Sequence, residues 1–139
     1  MWKQCGVVFA ALAAILWLMG RPLWCGCGSW TLWTTGNAHY SQHLFDPWVF
    51  SHVFHGGFFY GAFRGFMTRW SWRVAVVTSL IVEGLWEILE NTPWIIEAYR
   101  ASGDRWYMGD TILNSLGDLL ACLTGTLILA GLFRLTKKK

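Results

Sequence analysis

The stretch DPWVFSHVFHGGFF, residues 46–59, decides how this chain is organised. Its proline suits the first turn of a helix, and the apolar helix that follows carries Ser51, His52 and His55 on its first turns. Ionisable side chains are costly within apolar segments of membrane-spanning length, so they usually face one another or a wet cavity. The stretch therefore predicts a helix whose polar face meets polar groups from other parts of the chain.

Two other apolar stretches carry the polar groups that are expected to contact this helix. They are EGLWEILEN, residues 83–91, and DTILNSLGD, residues 110–118. Their polar side chains recur at intervals of four, seven or eight residues, which places them on one face of each helix. These side chains belong to Glu83, Glu87, Glu90, Asn91, Asp110, Asn114 and Asp118. The convergence of three helices predicts one shared polar site.

The composition indicates a membrane protein. The chain has 139 residues, of which 55% are hydrophobic and 14% are charged, whereas about 25% of the residues in a soluble domain are charged. The net charge of +3 is small, and the basic residues lie at alternate helix ends and do not form a groove with stacking aromatics. We therefore predict a single all-α membrane domain, residues 1–139, without a nucleic-acid partner.

Four hydrophobic segments predict an integral-membrane four-helix bundle. The predicted spans are residues 5–24, 47–67, 73–96 and 110–133, and residues 25–46 form a loop rich in Gly, Trp, Ser and Thr. Pro93 predicts a kink or an end in the third span, and residues 97–109 are predicted to be a short polar loop. The first segment favours a retained helix over a secretory signal peptide, because no small-residue cleavage site precedes a polar start.

The basic residues predict the orientation of these spans. Eight of them fall on one side of the predicted arrangement and three on the other. The eight are Lys3, Arg64, Arg69, Arg73, Arg134 and the three C-terminal lysines. By the positive-inside rule both termini are cytoplasmic and loop 25–46 is periplasmic, which indicates a multi-pass protein of the bacterial inner membrane. The polar groups then share the periplasmic half of the bundle as a polar cavity, and Val76 is expected to face lipid.

The shared polar site is predicted to be functional. Its centre is predicted to be His52, His55, Glu87 and Asp118, acting as catalytic groups or as ligands of a divalent metal such as zinc, manganese or iron. The supporting positions of a ligand site are Ser51, Glu83, Glu90, Asn91, Asp110 and Asn114. The alternative is a hydrogen-bonded polar interior that only holds the helices together. Ser51 is more typical of a helix serine bonded to the backbone than of a nucleophile.

The predicted loop carries a second candidate site. Cys25 and Cys27 precede His39 and His43 in a C-x-C and H-x3-H pattern. The histidine spacing suits zinc, while the cysteine spacing is tighter than usual. The pattern therefore predicts either a metal site or two loop thiols that are free or bonded to each other. The other two cysteines fall within predicted spans and are expected to be small buried apolar residues.

Several motifs in one order resemble a known family. They are CGCG at residues 25–28, SQH at 41–43, FSHVFHG-FFY at 50–60, WEILEN at 86–91 and GD-ILNS-GD at 109–118. Together they resemble the uncharacterised protein family 0314, also described as domain of unknown function 2585. The resemblance implies a small multi-pass bacterial inner-membrane protein and no established activity.

A looser similarity is to the VanZ-like membrane proteins. The stretch DTILNSLG, residues 110–117, is similar to the D-x3-N-x2-G helix of that group. His52 and Glu87 then stand for the histidine and glutamate of that group. Asp46, six residues before His52, departs from the pattern, in which a closer acidic partner is expected.

Three functions are compatible with the sequence. The first is a site near the outer leaflet that binds a lipid head group or a divalent metal, with hydrolase or transferase chemistry as an extension and membrane lipid as the partner. The second is a non-catalytic membrane assembly or envelope-stress factor whose polar network is structural. The third, a small ion or metal carrier, is disfavoured unless the protein forms a homo-oligomer, because the cytoplasmic half of the spans is apolar. The sequence does not choose between an enzyme and a binding protein.

Overall fold

Five α-helices make up the regular structure of the described part of the chain. The computed structural model describes residues 1–36 and 39–136. Its helices are α1 (Trp2–Leu18), α2 (Val49–Phe66), α3 (Trp72–Glu90), α4 (Pro93–Ser102) and α5 (Ile112–Thr136). Within those described residues there is no β-strand, only an isolated bridge between Trp33 and Phe45. The all-α prediction is confirmed, and the three C-terminal lysines of the orientation argument lie outside the described residues.

The break between α3 and α4 corrects the predicted third span. α3 ends at Glu90, and Thr92 caps a separate helix, its hydroxyl oxygen accepting a hydrogen bond from the Ile95 amide at 3.5 Å. Pro93 takes the first helical position, where an amide hydrogen is not needed. The span of residues 73–96 therefore stops early, and the predicted loop 97–109 is helical at its start. The local capping signal outweighs the polar composition of this segment.

The first predicted span is also shorter than expected. α1 ends at Leu18, and Gly20 adopts a φ of 78°, which residues with a side chain rarely take. Pro22 follows and does not continue a helix. Arg21 instead reaches back across the protein, where its Nε donates to the Asp110 carbonyl at 2.9 Å. The predicted extension to residue 24 is therefore wrong.

α2 and α5 approach each other closely beside the polar residues. Gly56 faces the Cys122 carbonyl so closely that a β-carbon at this position would overlap the oxygen. The Thr126 hydroxyl also donates to the Gly56 carbonyl at 3.1 Å. Glycine permits this contact because it lacks a side chain. The preceding turn of α2 carries His52, and the preceding turn of α5 carries Asp118. The close helix contact consequently holds these two side chains near each other.

The apolar core lies among α1, α2, α3 and α5. Its buried members include Leu12, Leu16, Tyr60, Leu80 and Leu119. Val76 is also completely buried, so the expectation that it faces lipid is wrong. Val76 lies one turn before Leu80 and therefore continues the inward face of α3. The outward face of that helix carries Ile81 and Leu85.

One helix among the described residues meets a length and hydropathy test for a membrane span. This is α5, with a mean hydropathy of 1.9 over its apolar window, of which 44% is buried. α1 is apolar but has 17 residues. The buried helix of a soluble protein passes the same test, so this finding alone gives weak support for membrane association. The structure thus has four long helices and one short helix in place of the predicted four.

The described residues between α1 and α2, 19–36 and 39–48, are mostly irregular, as predicted, and part of this segment packs on the start of α5. The His43 carbonyl accepts a hydrogen bond from Asn114 Nδ2 at 2.8 Å. Gly117 leaves room for the Leu44 carbonyl, which a β-carbon would overlap. These contacts hold residues 41–46 over the end of the helices where the polar groups gather.

Candidate functional site

His52 lies at the centre of a buried polar cluster. Its Nδ1 is 2.5 Å from Oε1 of Glu83 and 3.6 Å from Oε1 of Glu87, and its Nε2 is 3.8 Å from Oδ1 of Asp118. All four residues are buried, and His52 is the most exposed of them at 6%. The predicted convergence of α2, α3 and α5 is therefore confirmed. With His55 added, these residues are called the His52 cluster below.

His55 joins the His52 cluster from the next turn of α2. Its Nδ1 lies 3.5 Å from the same Glu83 oxygen that contacts His52, and its side chain is 34% exposed. The two imidazole rings pack edge to face with centroids 5.6 Å apart. Glu83, predicted only as a supporting residue, is therefore the carboxylate that the two histidines share.

Five buried atoms have no hydrogen-bond partner within residues 1–36 and 39–136, and all five belong to the His52 cluster. They are His55 Nδ1, Glu83 Oε2, both carboxylate oxygens of Glu87, and Asp118 Oδ1. Protein interiors leave few buried polar atoms unpaired. Even with His52 protonated, three ionised carboxylates would leave two negative charges in excess. A buried site of this kind needs a cation or shared protons to be stable.

The candidate ligand atoms of the His52 cluster form two sets. One set is His52, His55 and Glu83, and the other is His52, Glu87 and Asp118. Within each set, one nitrogen or oxygen per residue lies within 4.8 Å of the others. Imidazole nitrogens and carboxylate oxygens are ligands for zinc, manganese and iron. The residues predicted as one metal set are thus divided between two, with Glu83 joining His55.

A second polar region, the Asn91 network, lies beside the His52 cluster. Asn91 Nδ2 donates to Oδ2 of Asp110 at 2.9 Å, and its Oδ1 accepts from the Asp110 amide at 2.8 Å. The Tyr107 hydroxyl donates to Oδ1 of Asp110 at 3.1 Å. Burial and the adjacent carboxylate raise the pKa of Tyr107 well above its usual value, so the hydroxyl keeps its proton. Asn91 and Asp110, predicted as ligand-binding residues, therefore tie the end of α3 to the start of α5.

Two further predicted site residues bond to the backbone. The Ser51 hydroxyl donates to the Trp48 carbonyl at 2.6 Å, which agrees with its interpretation as an ordinary helix serine. Asn114 uses its side-chain amide to hold the His43 carbonyl, as described above. Both residues position the chain around the His52 cluster and do not enter it.

A cavity of about 460 Å³ opens beside the His52 cluster. His52, His55 and Asp118 line it, and so does Glu90, which was predicted as a site residue. Its remaining wall includes Tyr40, Trp48, Trp86, Tyr99, Asp104 and Tyr107. Burial and the nearby Glu90 raise the pKa of Tyr99 to about 12, so Tyr99 presents a neutral hydroxyl. Sequence reasoning did not place these aromatic residues in the site. Two of them, Tyr99 and Tyr107, come from α4 and the loop that follows it, where no periodic pattern marks them.

Asp46 also lies outside the predicted site residues, although it shapes the entry to α2. It is 1% exposed, and its carboxylate accepts hydrogen bonds from the Trp48 amide at 2.8 Å and the Ser41 amide at 2.7 Å. A carboxylate that accepts from the amide two residues further on forms an Asx turn, and α2 follows this turn at Val49 without a side-chain cap. Asp46 thereby fixes where α2 begins and where its histidines lie.

The cysteine and histidine residues of the loop come together as well. Cys25 Sγ lies 3.6 Å from His39 Nδ1, and Cys27 Sγ lies 3.8 Å from His43 Nε2. Cys25 and Cys27 are bonded to each other. The sequence predicted either a metal site or two bonded thiols. The structure has the bonded thiols, and the four possible metal ligands lie close together at the same place. The two helix cysteines are buried, as expected.

Known proteins place this chain in a family. Residues 16–136 match the family described as "Protein of unknown function (DUF2585)". The chain belongs to this family. The DUF2585 chain is 42% identical to a UPF0314 protein of Sphingopyxis alaskensis over 91% of its own length and 69% of that relative. UPF0314 proteins of Paracoccus denitrificans and Rhizobium meliloti are also 42% identical, covering 94% and 89% of this chain.

The relatives are longer than this DUF2585 chain. The matched region covers 69% of the Paracoccus protein and 64% of the Rhizobium protein, so the chain spans about two thirds of their length. The predicted family is confirmed, and its description states no activity. These matches do not show the looser similarity to VanZ-like proteins. No solved structure matches the chain.

Proposed function

We propose that this protein is a multi-pass inner-membrane protein whose His52 cluster binds a divalent metal ion. The observation that carries the proposal is the group of five unpaired buried atoms on His55, Glu83, Glu87 and Asp118. A divalent ion would accept lone pairs from these atoms and from a neutral His52, and it would offset two of the three negative charges of the carboxylates. The Asn91 network needs no such ion, because its donors and acceptors pair with one another.

The outward faces of the long helices support a membrane setting. Phe54 and Phe58 of α2, Leu85 of α3 and Ile128 of α5 are each more than half exposed. Soluble proteins rarely expose large apolar patches. This protein exposes these apolar side chains and buries most of the ionisable side chains of the His52 cluster, which is the arrangement expected in a membrane. At 1.5 Å per residue the 18 residues of α2 and the 19 of α3 make helices about 27 and 29 Å long, close to the hydrocarbon thickness of about 30 Å.

The positions of the basic residues support cytoplasmic termini. Arg64 Nη1 donates to the Trp70 carbonyl, and the Arg134 guanidinium lies 3.8 Å from the centroid of the Trp72 ring. The α2–α3 turn and the end of α5 therefore share one end of the protein, as the positive-inside rule requires. The His52 cluster lies toward the opposite end, which would be periplasmic.

Cysteine labelling tests this orientation. Ser102→Cys and Thr68→Cys place single thiols at exposed sites on opposite ends, in a chain whose own cysteines are replaced by alanine. A membrane-impermeant maleimide should label position 102 in intact spheroplasts, and position 68 only after permeabilisation. Labelling of both positions in intact spheroplasts, or of position 68 alone, contradicts the proposed topology.

Metal content tests the site itself. Detergent-purified protein with its loop disulfide kept oxidised should hold one equivalent of zinc, manganese or iron in elemental analysis. Glu87→Gln should lose this metal, because the amide keeps the size of the side chain and removes its charge. Glu97→Gln is the matched control, since Glu97 is exposed on α4. If wild type takes up none of the three metals, the His52 cluster is a packing network in a structural membrane factor. If Glu87→Gln retains the metal, Glu87 is not one of its ligands.

The cavity favours a lipid head group as a second ligand. Its volume falls within the range of about 300–1,000 Å³ that is usual for small-molecule sites. Its wall combines the acidic Glu90 and Asp104 with the aromatic Trp48 and Trp86, which suits the amine of a zwitterionic head group. The phosphate of the same head group would lie on the side of the His52 cluster. A divalent metal there supplies Lewis-acid activation, so hydrolase or transferase chemistry on a membrane lipid is compatible with this geometry.

Native mass spectrometry tests the lipid ligand. Wild-type protein should retain one phospholipid after the bulk lipid has been removed, and Trp86→Ala should retain less. Leu85→Ala is the control, because its side chain is exposed on the outward face of α3. Equal retention by both variants would place the lipid on the outer surface and not in the cavity.

A further inference from the structure

We propose that Cys25, Cys27, His39 and His43 form a second metal site, which holds Zn²⁺ when its two thiols are reduced. The site lies in the loop between α1 and α2 and shares no residue with the His52 cluster. It therefore does not depend on the function proposed above. The four residues bring together the ligand types of a Cys2His2 structural zinc site.

The observed distances fit a tetrahedral zinc ion. Zinc–sulfur bonds of about 2.3 Å and zinc–nitrogen bonds of about 2.0–2.1 Å place tetrahedral ligand atoms about 3.6 Å apart. The two sulfur–nitrogen separations in the loop are 3.6 and 3.8 Å. One candidate atom from each of the four residues lies within 4.8 Å of all the others. Two thiolates and two imidazoles favour zinc over oxygen-seeking cations such as magnesium or calcium.

His43 is already oriented as a ligand. Its Nε2 faces Cys27, while its Nδ1 lies 3.4 Å from Oγ1 of Thr31. In the tautomer whose Nδ1–H donates to this hydroxyl, Nε2 is unprotonated and can bind a metal. The ring is 2% exposed and packs edge to face against Trp24 at a centroid distance of 5.8 Å. The protein therefore holds this imidazole in place before an ion arrives.

The bond between Cys25 and Cys27 must open before both sulfurs can bind zinc. A phosphine reductant donates two electrons to the disulfide and takes the oxygen of one water molecule. The two protons of that water complete the two thiols. Zn²⁺ then displaces both thiol protons as the zinc–thiolate bonds form. Zinc binding at this site is thus expected only in the reduced protein.

Zinc would join the two ends of the loop. Cys25 and His39 are 14 positions apart in the chain, and Cys27 and His43 are 16 positions apart. Their contacts therefore pair the segment after α1 with the segment before α2. The same loop contributes Tyr40 and Ser41 to the wall of the 460 Å³ cavity. Zinc in the loop would therefore stiffen one wall of that cavity.

Cobalt titration of reduced, detergent-purified wild-type protein tests the site. A thiolate-to-cobalt charge-transfer band should rise to saturation at one equivalent, and Zn²⁺ should abolish it. The His52 cluster contains no cysteine, so this band reports on the loop alone. Cys25→Ser and His39→Gln should each weaken binding about 100-fold or more.

Two control variants separate the loop from the rest of the protein. Cys5→Ala removes a buried helix thiol and should keep the band. Glu87→Gln should also keep the band while losing the metal of the His52 cluster, so the two proposals can fail separately. If the reduced wild-type protein gives no thiolate band, the zinc site is wrong, and Cys25 and Cys27 serve only as a disulfide pair. Undiminished cobalt affinity in both Cys25→Ser and His39→Gln overturns it as well.

Discussion

Two buried polar regions lie side by side in this protein, and they differ in whether their hydrogen bonds are filled. In the Asn91 network, Asn91 and Asp110 exchange two hydrogen bonds, and Tyr107 adds a third. In the His52 cluster, both carboxylate oxygens of Glu87 have no partner among the described residues. Burial is similar in the two regions, so it does not distinguish a structural network from a ligand site. Pairing does, because an unpaired buried acceptor costs free energy until a ligand or proton fills it.

The largest effect is expected where the Asn91 network is broken. Asn91→Ala removes both bonds to Asp110 and leaves buried polar groups unpaired, at about 1–3 kcal/mol for each group. We expect a loss of about 3 kcal/mol or more in the free energy of unfolding, measured by denaturation in detergent. The remaining folded protein should still bind metal. Ser102→Ala, at an exposed helix end, should change stability by less than about 0.5 kcal/mol. An Asn91→Ala protein as stable as wild type would remove the distinction between the two regions.

The opposite pattern is expected in the His52 cluster. Without metal, Glu87→Gln should be at least as stable as wild type, because it removes a buried charge that repels its neighbours. With metal at about 100 times its dissociation constant, wild type should gain about 2.7 kcal/mol and the variant should gain nothing. Melting temperatures measured with and without metal check this. An equal gain in both proteins would show that Glu87 is not a ligand.

His55→Gln should behave in the same direction as Glu87→Gln, with a smaller change in the metal-free protein. His55 is partly exposed, whereas Glu87 is completely buried, so its replacement alters less buried charge. The metal-induced rise in melting temperature should again disappear. A rise equal to that of wild type would leave metal binding to His52, Glu87 and Asp118 alone.

A moderate effect is expected where the loop packs over the two regions. Gly117→Ala places a β-carbon against the Leu44 carbonyl and should cost about 1–3 kcal/mol. Faster proteolysis within residues 25–46 should accompany the loss. Gly131→Ala is the matched control, since nothing lies within 4 Å of its added β-carbon and alanine favours the helix. Equal stability of the two variants would show that the loop is not held by this contact.

The smallest effect is expected at Ser51, which lies next to His52 in the sequence. Its hydroxyl bonds to the backbone of its own helix, so Ser51→Ala should change stability by less than about 0.5 kcal/mol. Metal content should equal that of wild type. Loss of the metal would place Ser51 among the residues of the metal site.

The periodicity of the sequence predicted much of the candidate site. His52, Glu87 and Asp118 repeat with their neighbours at helical intervals within apolar stretches, and such helices bury their polar faces against one another. The prominence of Glu83 was underestimated, because spacing along α3 does not say which carboxylate meets the imidazoles. Val76 was assigned to the wrong face, since an apolar residue fits the core and a lipid surface equally well. α4 was missed because its helical signal, the cap at Thr92 with Pro93, lies in a segment of polar composition.

The sequence by itself determined the family, the all-α class and the three stretches that supply the polar groups, because these depend on local order and on side-chain chemistry. The tertiary structure alone decided which of those groups are satisfied. Asn91 and Asp110 fill each other's hydrogen-bonding capacity because a turn and a short helix bring the end of α3 to the start of α5. Glu87 lies one turn before Asn91 and faces His52 instead, at 3.6 Å, and its carboxylate oxygens have no hydrogen-bond partner among the described residues. Pairing depends on distances between residues far apart in the chain, and helical periodicity does not specify those distances.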